Sequence, residues 1–418
     1  MHRHFVRSMQ AMSGSIRPLF AIIIFLTLNA CGTASSDGTN SASAGTGRAG
    51  GGNGSGNGDS IAVFLNSQLW KTDGTPEGTA PVFSQTAAPF SFAHGLTKFN
   101  GEYYFQANSE NGFELWKTDG TPAGTVLVKD INPGAGSSFS YRFSDFTVFN
   151  NALYFHAQDG VTGNELWKTD GTSAGTVLVK DINPAPGVGS APTDFTVFNG
   201  ELYFSVTVDG RKKLWKTDGS ANGTTSVTDV DIGSGTNFLP DDYSRGFPVF
   251  NGALYFAGPG GLWKTDGTAA GTVQNEDIAT PSGWYSYLYD GFAVFQDILY
   301  VAAENQTYGR EIWKTNGTAA GTALLKDINT ENGGRRSDYV FNEFIVFNGE
   351  LYFQAHDNVN NYRLWKTNGS TEGTVQVQSF GSSPASGLMV FNGALYFQNR
   401  GLWKTDGTPN GAVLVKGF

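Results

Sequence analysis

From about residue 60 to the last residue, apolar side chains come in short runs separated by polar turns, and nothing repeats at the 3.6-residue spacing of a helix. The pattern is one of strands. Around Trp167 it reads Phe146-Thr-Val-Phe-Asn-Asn-Ala-Leu-Tyr-Phe155, a variable loop, Glu165-Leu-Trp-Lys-Thr-Asp-Gly-Thr172, then Val177-Leu-Val-Lys-Asp-Ile182. This predicts four strands, A to D. A strand with one wet face alternates apolar and polar residues, yet Leu153-Tyr154-Phe155 and Leu166-Trp167 are continuous apolar runs. Such runs suit a sheet covered on both faces.

The same unit recurs along the chain. Leu/Ile-Trp-Lys-Thr-Asp/Asn-Gly-Thr/Ser occurs eight times, with its tryptophan at Trp70, Trp116, Trp167, Trp215, Trp263, Trp313, Trp365 and Trp403. Successive tryptophans are 46, 51, 48, 48, 50, 52 and 38 residues apart, a period that holds four short strands and their turns. A radial stack of four-stranded blades covers each sheet from both sides, so the expected fold is an all-β propeller. Strands A and B are joined by Asn-Gly in most copies (Asn100-Gly101, Asn199-Gly200, Asn251-Gly252, Asn348-Gly349, Asn392-Gly393), a strong hairpin signal. Strand B is found eight times and strand A only seven, because the first repeat begins at strand B with Ala62-Val-Phe-Leu65. Eight blades with 31 strands are expected; seven blades plus a partial module is the alternative.

The first 60 residues are of another kind. Residues 1–30 carry Arg3, Arg7 and Arg17, no acidic residue, and the apolar run Leu19 to Leu28, followed by Asn29-Ala30-Cys31. This reads as an export signal whose apolar core is shorter than the roughly 20 residues a spanning helix needs. Leu28-Asn29-Ala30-Cys31 resembles the bacterial lipobox, which implies that Cys31, the only cysteine, is acylated and becomes the first residue of the mature chain. An ordinary signal peptide with an incidental cysteine is the plain alternative. Residues 31–59 hold the Cys31 anchor and a Gly/Ser-rich stretch, with ten glycines among the 28 positions after the cysteine, and read as a flexible tether. Residues 60–418 are the propeller.

The repeats Glu114-Leu-Trp-Lys-Thr-Asp-Gly-Thr121 and Glu165-Leu-Trp-Lys-Thr-Asp-Gly-Thr172, with the trailing Val-Leu-Val-Lys-Asp-Ile-Asn-Pro at Val126 to Pro133 and Val177 to Pro184, resemble the bacterial ELWxxDGT-repeat family. Some of its members are labelled hyalin-like. The resemblance spans the whole array and implies an exported or surface protein; it implies no catalytic residue and no ligand. Glu gives way to Lys213, Gly261, Arg363 and Gly401 before Leu-Trp, and Asp gives way to Asn316 and Asn368.

Without residues 1–30 the chain has 24 basic against 37 acidic residues, so nucleic acid is not an expected partner. The eight tryptophans could be stacking platforms for sugars, but are read as packing between blades. The six turn aspartates Asp73, Asp119, Asp170, Asp218, Asp266 and Asp406 suggest calcium, yet Asn316 and Asn368 keep the turn without the charge, so they are read as structural. No metal or cofactor is expected. His156 and His356 stand just after strand B and are read as loop positions. No nucleophile or metal-hydrolase motif is present, and the chain is read as non-catalytic, although two carboxylates converging as in a glycosidase stay an alternative.

The A–B and C–D turns fall on one rim and barely vary. The B–C and D–A loops fall on the other and differ in every repeat, and binding residues concentrate on such loops. Trp284, the one tryptophan outside the motif, lies with Tyr285 and Tyr287 in a D–A loop. With Tyr308, Arg310, Arg335, Arg336, Tyr362 and Arg363 it gives the aromatic and arginine mixture enriched at interfaces. The expected function is that of an outer-membrane lipoprotein, lipid-anchored and facing the cell surface, whose propeller binds a protein or a glycan. The alternatives are a propeller hydrolase or lyase acting on extracellular polysaccharide, and a structural subunit of an envelope complex.

Overall fold

The computed structural model describes residues 62–65, 68–84, 88–139, 146–185, 187–232, 246–258, 261–274, 292–305, 308–328, 344–357, 361–379 and 385–418. They form eight antiparallel sheets arranged in a ring, an eight-bladed β-propeller. Seven sheets have four strands joined in simple up-and-down order; the first has three among the described residues, Ala62–Leu65, Leu69–Thr72 and Ala80–Pro81. Blade 3 is representative, with strands A to D at Thr147–Phe149, Ala152–Gln158, Asn164–Thr169 and Val177–Lys180. The A strands of neighbouring blades approach one another, Thr147–Phe149 beside Thr193–Phe198 and Ile345–Phe347 beside Ser386–Phe391, which makes A the innermost strand.

All seven A–B hairpins turn in two residues, both with positive φ, as at Asn100 (50°) and Gly101 (83°). Asn150-Asn151 and Gln296-Asp297 adopt the same turn without a glycine. The C–D turn is closed by its own side chains. Asp170 Oδ1 accepts from Thr172 N (2.8 Å) and Thr172 Oγ1 (2.7 Å), and Gly175 N donates to Thr172 Oγ1 (2.9 Å). Asn316 Oδ1 accepts the same two bonds from Thr318. Gly175 has no positive φ; it is glycine because a Cβ there would run into the Asp170 carboxylate. Below the turn, Thr169 Oγ1 and Thr176 Oγ1 share a 2.7 Å hydrogen bond, and the pair recurs in every blade but the last, where Ala412 replaces the second threonine.

Strands B and C run further toward the variable rim than the apolar pattern shows. His156 lies inside Ala152–Gln158 and His356 inside Glu350–Asp357, so neither is a loop residue. His156 is 3% exposed.

The seams after blade 1 repeat one set of contacts. Tyr104 of blade 2 reaches Gly171 in the turn of blade 3, where a Cβ would collide with its hydroxyl, and Tyr154, Tyr203 and Tyr352 meet Gly219, Gly267 and Gly407 alike. Trp167 packs into blade 2 beside Leu115 and Val128, and Lys129 lies over its ring at 5.9 Å while donating to Thr176 O at 2.7 Å. The tryptophans thus fill the seams. The motif lysine depends on its hairpin: Lys117, Lys216 and Lys366 bond Glu102, Glu201 and Glu350 within 3.0 Å. Where that glutamate is Ala152 or Ile298, Lys168 and Lys314 reach across the seam to Gly219 O and Gly369 O instead.

The seam between blades 8 and 1 is of the same kind. Tyr396 and Phe391 meet Gly74, Lys404 donates to Gly74 O (3.4 Å), Lys416 donates to Pro76 O (3.3 Å), and Phe418 packs on Trp70 at 5.1 Å. Repeats from both ends of the array share one apolar cluster. This closure favours eight blades over seven and a fragment.

Blade 2 packs against the first described strand of blade 1. Its strand Ser91–Phe99 packs along Ala62–Leu65. Tyr103 stands where six other repeats have leucine, and its hydroxyl hydrogen-bonds the backbone of Val63. Lys98 stands where the other A strands have valine, with its ammonium over the Tyr103 ring at 5.6 Å.

Candidate functional site

The variable rim is built from B–C and D–A loops, and blades 2 to 4 show how they are held. Glu114, the residue before Leu-Trp, is fully buried, and its carboxylate accepts from Ile131 N (2.8 Å), Asn132 N (3.4 Å), Ser138 N (3.2 Å) and the Ser138 hydroxyl (2.6 Å). Glu165 does the same one blade on, with Ile182 N, Asn183 N, Ser190 N and the Ser190 hydroxyl. The two serines continue the tie: Ser138 O accepts from Gln158 N (2.9 Å) and Ser190 O from Thr207 N (2.7 Å), both in strand B of the next blade. One buried carboxylate therefore fixes the end of its own strand D, the D–A loop and the following blade. Burial raises the Glu114 carboxyl to about 7 against the pull of these donors, and Asp130 adds to the rise; burial also moves the Glu165 carboxyl upward, against the pull of its own donors. Both groups are enclosed by backbone, so the raised values reflect burial and not a carboxyl presented to a ligand.

Other contacts complete this part of the rim. His156 Nδ1 lies 3.0 Å from Pro192 O, and burial lowers the imidazole to about 4. Asp194 accepts from Lys212 (2.8 Å) and Ser205 (2.6 Å). Asp159 Oδ1 closes the B–C loop of blade 3 by accepting from Val161 N, Thr162 N and Thr162 Oγ1. Val161 at its tip is 73% exposed.

Of the residues singled out in the sequence, Tyr308 is at the B–C turn of blade 6, 40% exposed, with its ring edge-to-face on Trp313 at 6.3 Å. Arg310 belongs to strand Gly309–Thr315. Tyr362 and Arg363 are not loop residues; they begin strand Asn361–Thr367 and are half-buried. Arg363 takes the position Glu114 has in blade 2, and its Nη1 donates to Gln376 Oε1 at 2.7 Å. Tyr308, Tyr362 and Arg363 thus share one rim in neighbouring blades. Cys31, Trp284, Tyr285, Tyr287, Arg335 and Arg336 lie outside the described residues. In the D–A loop after blade 2, Ser138 and Phe139 are each 1% exposed and belong to the core.

The opposite rim offers little to a ligand. The turn aspartates direct Oδ1 into their own turns, and the motif lysines of blades 2, 3, 4, 6, 7 and 8 point at glutamates or carbonyls. Among the described residues, no three histidine, cysteine or acidic side chains gather as a metal site would require.

With this geometry, comparison with known proteins bears on architecture. Only the first of the following is alike enough to bear on the fold, and it bears on nothing beyond it. The dihydro-heme d1 dehydrogenase NirN aligns over 85% of this chain and 73% of its own, at TM-score 0.51 and 12% identity. A prolyl endopeptidase aligns over 78% of this chain at TM-score 0.44 and 14% identity, and the chain spans 50% of that protein's length. The protein lmo1340 from Listeria monocytogenes EGD-e aligns over 77% of this chain and 94% of its own, at TM-score 0.43 and 9% identity. No family model and no curated protein matches the sequence.

Proposed function

We propose that the chain is a bacterial cell-envelope lipoprotein, anchored through Cys31, whose propeller is a non-catalytic scaffold that binds a protein or a surface glycan at its variable rim. The observation that carries the reading is the division of labour between the rims. One spends its polar groups on turns and seams repeated in blade after blade, whereas the other carries loops that differ in every blade, tied at Glu114 and Glu165 to a rigid frame. A rigid frame under variable loops lowers the ordering cost of binding. The lipobox-like Leu28-Asn29-Ala30-Cys31 and the glycine-rich segment after it support the envelope location.

Crosslinking on intact cells tests it. The wild-type chain is expected to yield a defined crosslinked partner or a glycan adduct, reduced at least about fivefold in a Trp284→Ala/Arg363→Ala variant, a loss on the scale of about 1 kcal/mol. Capture that is indifferent to these substitutions and to changes in every other variable loop argues against the rim. Release of oligosaccharides from envelope polysaccharide by the purified chain would overturn the non-catalytic part. Cys31→Ser is expected to move the protein from the membrane to the soluble fraction and to abolish acyl labelling.

A further inference from the structure

Blade 2 enters its innermost strand through a kink that puts an aromatic ring on the variable rim. In strand Ser91–Phe99, Phe99 adjoins the A–B hairpin of the constant rim, so Ser91 and Phe92 stand at the variable end. The register against strand Glu102–Ser109 shifts between Ser91 and His94 and again between His94 and Thr97. Each shift holds a residue with positive φ, Phe92 (48°) and Gly95 (69°). Blade 4 repeats the kink with Ala191 (46°), placed before Thr193 as Phe92 is before His94, and with Asp194 (61°). The kink therefore belongs to the fold, and the ring does not. A bulky side chain is disfavoured in the left-handed region, and Phe92 is the one aromatic residue found there among the described residues. At 54% it is also their most exposed aromatic ring. Backbone conformations of this unfavourable kind cluster at binding sites.

The residues beside the ring are polar and mostly uncharged. Ser91 pairs with Asn108, and Asn108 with Phe113 of strand Gly112–Thr118, which makes one row at the rim. Glu110 and Asn111 form the adjoining B–C turn. The next row inward holds His94, Gln106 and Leu115, with the His94 ring stacked toward Phe113 at 6.4 Å. Gln106 is fully buried, and neither its amide nitrogen nor its amide oxygen has a hydrogen-bond partner. The residues at its position in blades 3 and 4 do: His156 meets Pro192 O at 3.0 Å, and Ser205 meets Thr193 Oγ1 at 2.8 Å. Buried amides are ordinarily satisfied, so one row below Ser91 and Asn108 a donor and an acceptor are left for a polar guest from outside the chain.

We propose that this end of blade 2 is a subsite for a neutral, β-linked oligosaccharide, in which one pyranose lays its C–H face on Phe92 and its hydroxyls meet Ser91, Asn108 and Asn111. The assignment rests on the variable rim being the binding face. A pyranose whose ring substituents are all equatorial presents a flat face of C–H groups, which suits the negative face of an aromatic ring. A side-chain amide offers a donor and an acceptor to adjacent hydroxyls. Glu110, exposed at the turn, accepts from hydroxyls as well but repels a carboxylate or sulfate, which makes the expected ligand uncharged.

Calorimetric titration of the purified full-length chain with β-1,4-linked hexasaccharides of glucose and of N-acetylglucosamine tests the subsite. At least one is expected to bind with Kd at or below about 1 mM, and hexagalacturonate at least about tenfold more weakly. Phe92→Ala, which copies Ala191 of blade 4, is expected to weaken binding at least about tenfold while moving the melting temperature by less than about 3 °C. Phe92→Trp keeps the affinity within about threefold, and Asn108→Ala with Asn111→Ala, which leaves the kink untouched, lowers it at least about fivefold. Binding of neither hexasaccharide, or binding that survives both the Phe92→Ala and the double asparagine change, overturns the subsite. Glycan binding that is lost in Trp284→Ala/Arg363→Ala but kept in Phe92→Ala overturns it too, while leaving the variable rim as the binding face. A crosslinked protein partner without any glycan binding overturns the subsite and leaves the scaffold reading intact.

Discussion

His156 donates through Nδ1 to Pro192 O from a site with 3% exposure, so it is the neutral imidazole that fits. Its folded pKa, about 4, lies below the ordinary 6.5, so its contribution is complete above pH 6.5 and is lost as pH falls toward 4. A shift of this size corresponds to on the order of 3 kcal/mol. Glu114 acts oppositely. Its carboxyl is raised from 4.5 to about 7, so its contribution is complete below pH 4.5 and is lost as pH rises through about 7. Because the two windows overlap, the wild-type stability profile mixes both. The difference between wild type and His156→Gln isolates the histidine: glutamine, which Gln106, Gln354 and Gln398 show at the same position in other blades, still donates to Pro192 O without titrating. Urea midpoints at pH 7.5 and 4.5 are expected to show wild type losing stability relative to the variant on acidification; parallel profiles would refute the assignment. For Glu114 the informative change is Glu114→Gln, which sets an amide NH2 against a ring of N–H donors. It is expected to cost about 1–3 kcal/mol and to speed amide exchange at Ile131, Asn132 and Ser138, with Leu153 unaffected. The role of this glutamate was legible in principle, because Glu114, Glu165 and Glu311 occur in the repeats that also carry Lys-Asp-Ile-Asn (129, 180 and 326). In blades 2 and 3 the glutamate bonds the backbone of the Ile-Asn that follows, a link that a strand-by-strand reading passes over.

At the scale of the element, the C–D turn shows two glycines with different physical reasons. Gly171 has φ 99° and faces the hydroxyl of Tyr104, whereas at Gly175 the nearest obstacle is the Asp170 carboxylate. Gly175→Ala is therefore expected to cost about 1–3 kcal/mol through overpacking. Much of that cost should vanish in an Asp170→Ala background, where the obstructing carboxylate is gone. A double-mutant cycle with no coupling between 170 and 175 would show that backbone strain governs instead. Strand order, turn length and hairpin type were all legible, since Asn-Gly and Asp-Gly-Thr report local backbone needs. Strand ends were not. His156, Tyr362 and Arg363 extend strands into what the sequence presents as loops, because polar residues at the blade ends are paired by neighbouring strands and carry no alternation of their own.

At the scale of the whole molecule, no strand pairs with the inner edge of Ala62–Leu65 among the described residues, and an edge left open would invite foreign pairing. Blade 2 carries the two departures from the repeat that meet this need. The Tyr103 hydroxyl serves Val63, whose counterpart in blade 3, Tyr154, pairs with Thr147 of strand A, while the Tyr103 ring and the Lys98 stem cover the space beside it. Restoring the repeat residue with Tyr103→Leu is expected to cost about 2–4 kcal/mol, from lost packing and an unmet backbone group. Tyr103→Phe, which keeps the ring and removes the hydroxyl, is expected to cost about 1 kcal/mol. Because every seam depends on its neighbours, the loss should lower the midpoint of a single cooperative transition, with the earliest rise in amide exchange at Val63 and Phe64. Unfolding that starts instead at the seam between blades 4 and 5, or a Tyr103→Leu protein as stable as wild type, would mean that the edge of blade 1 is covered by other means.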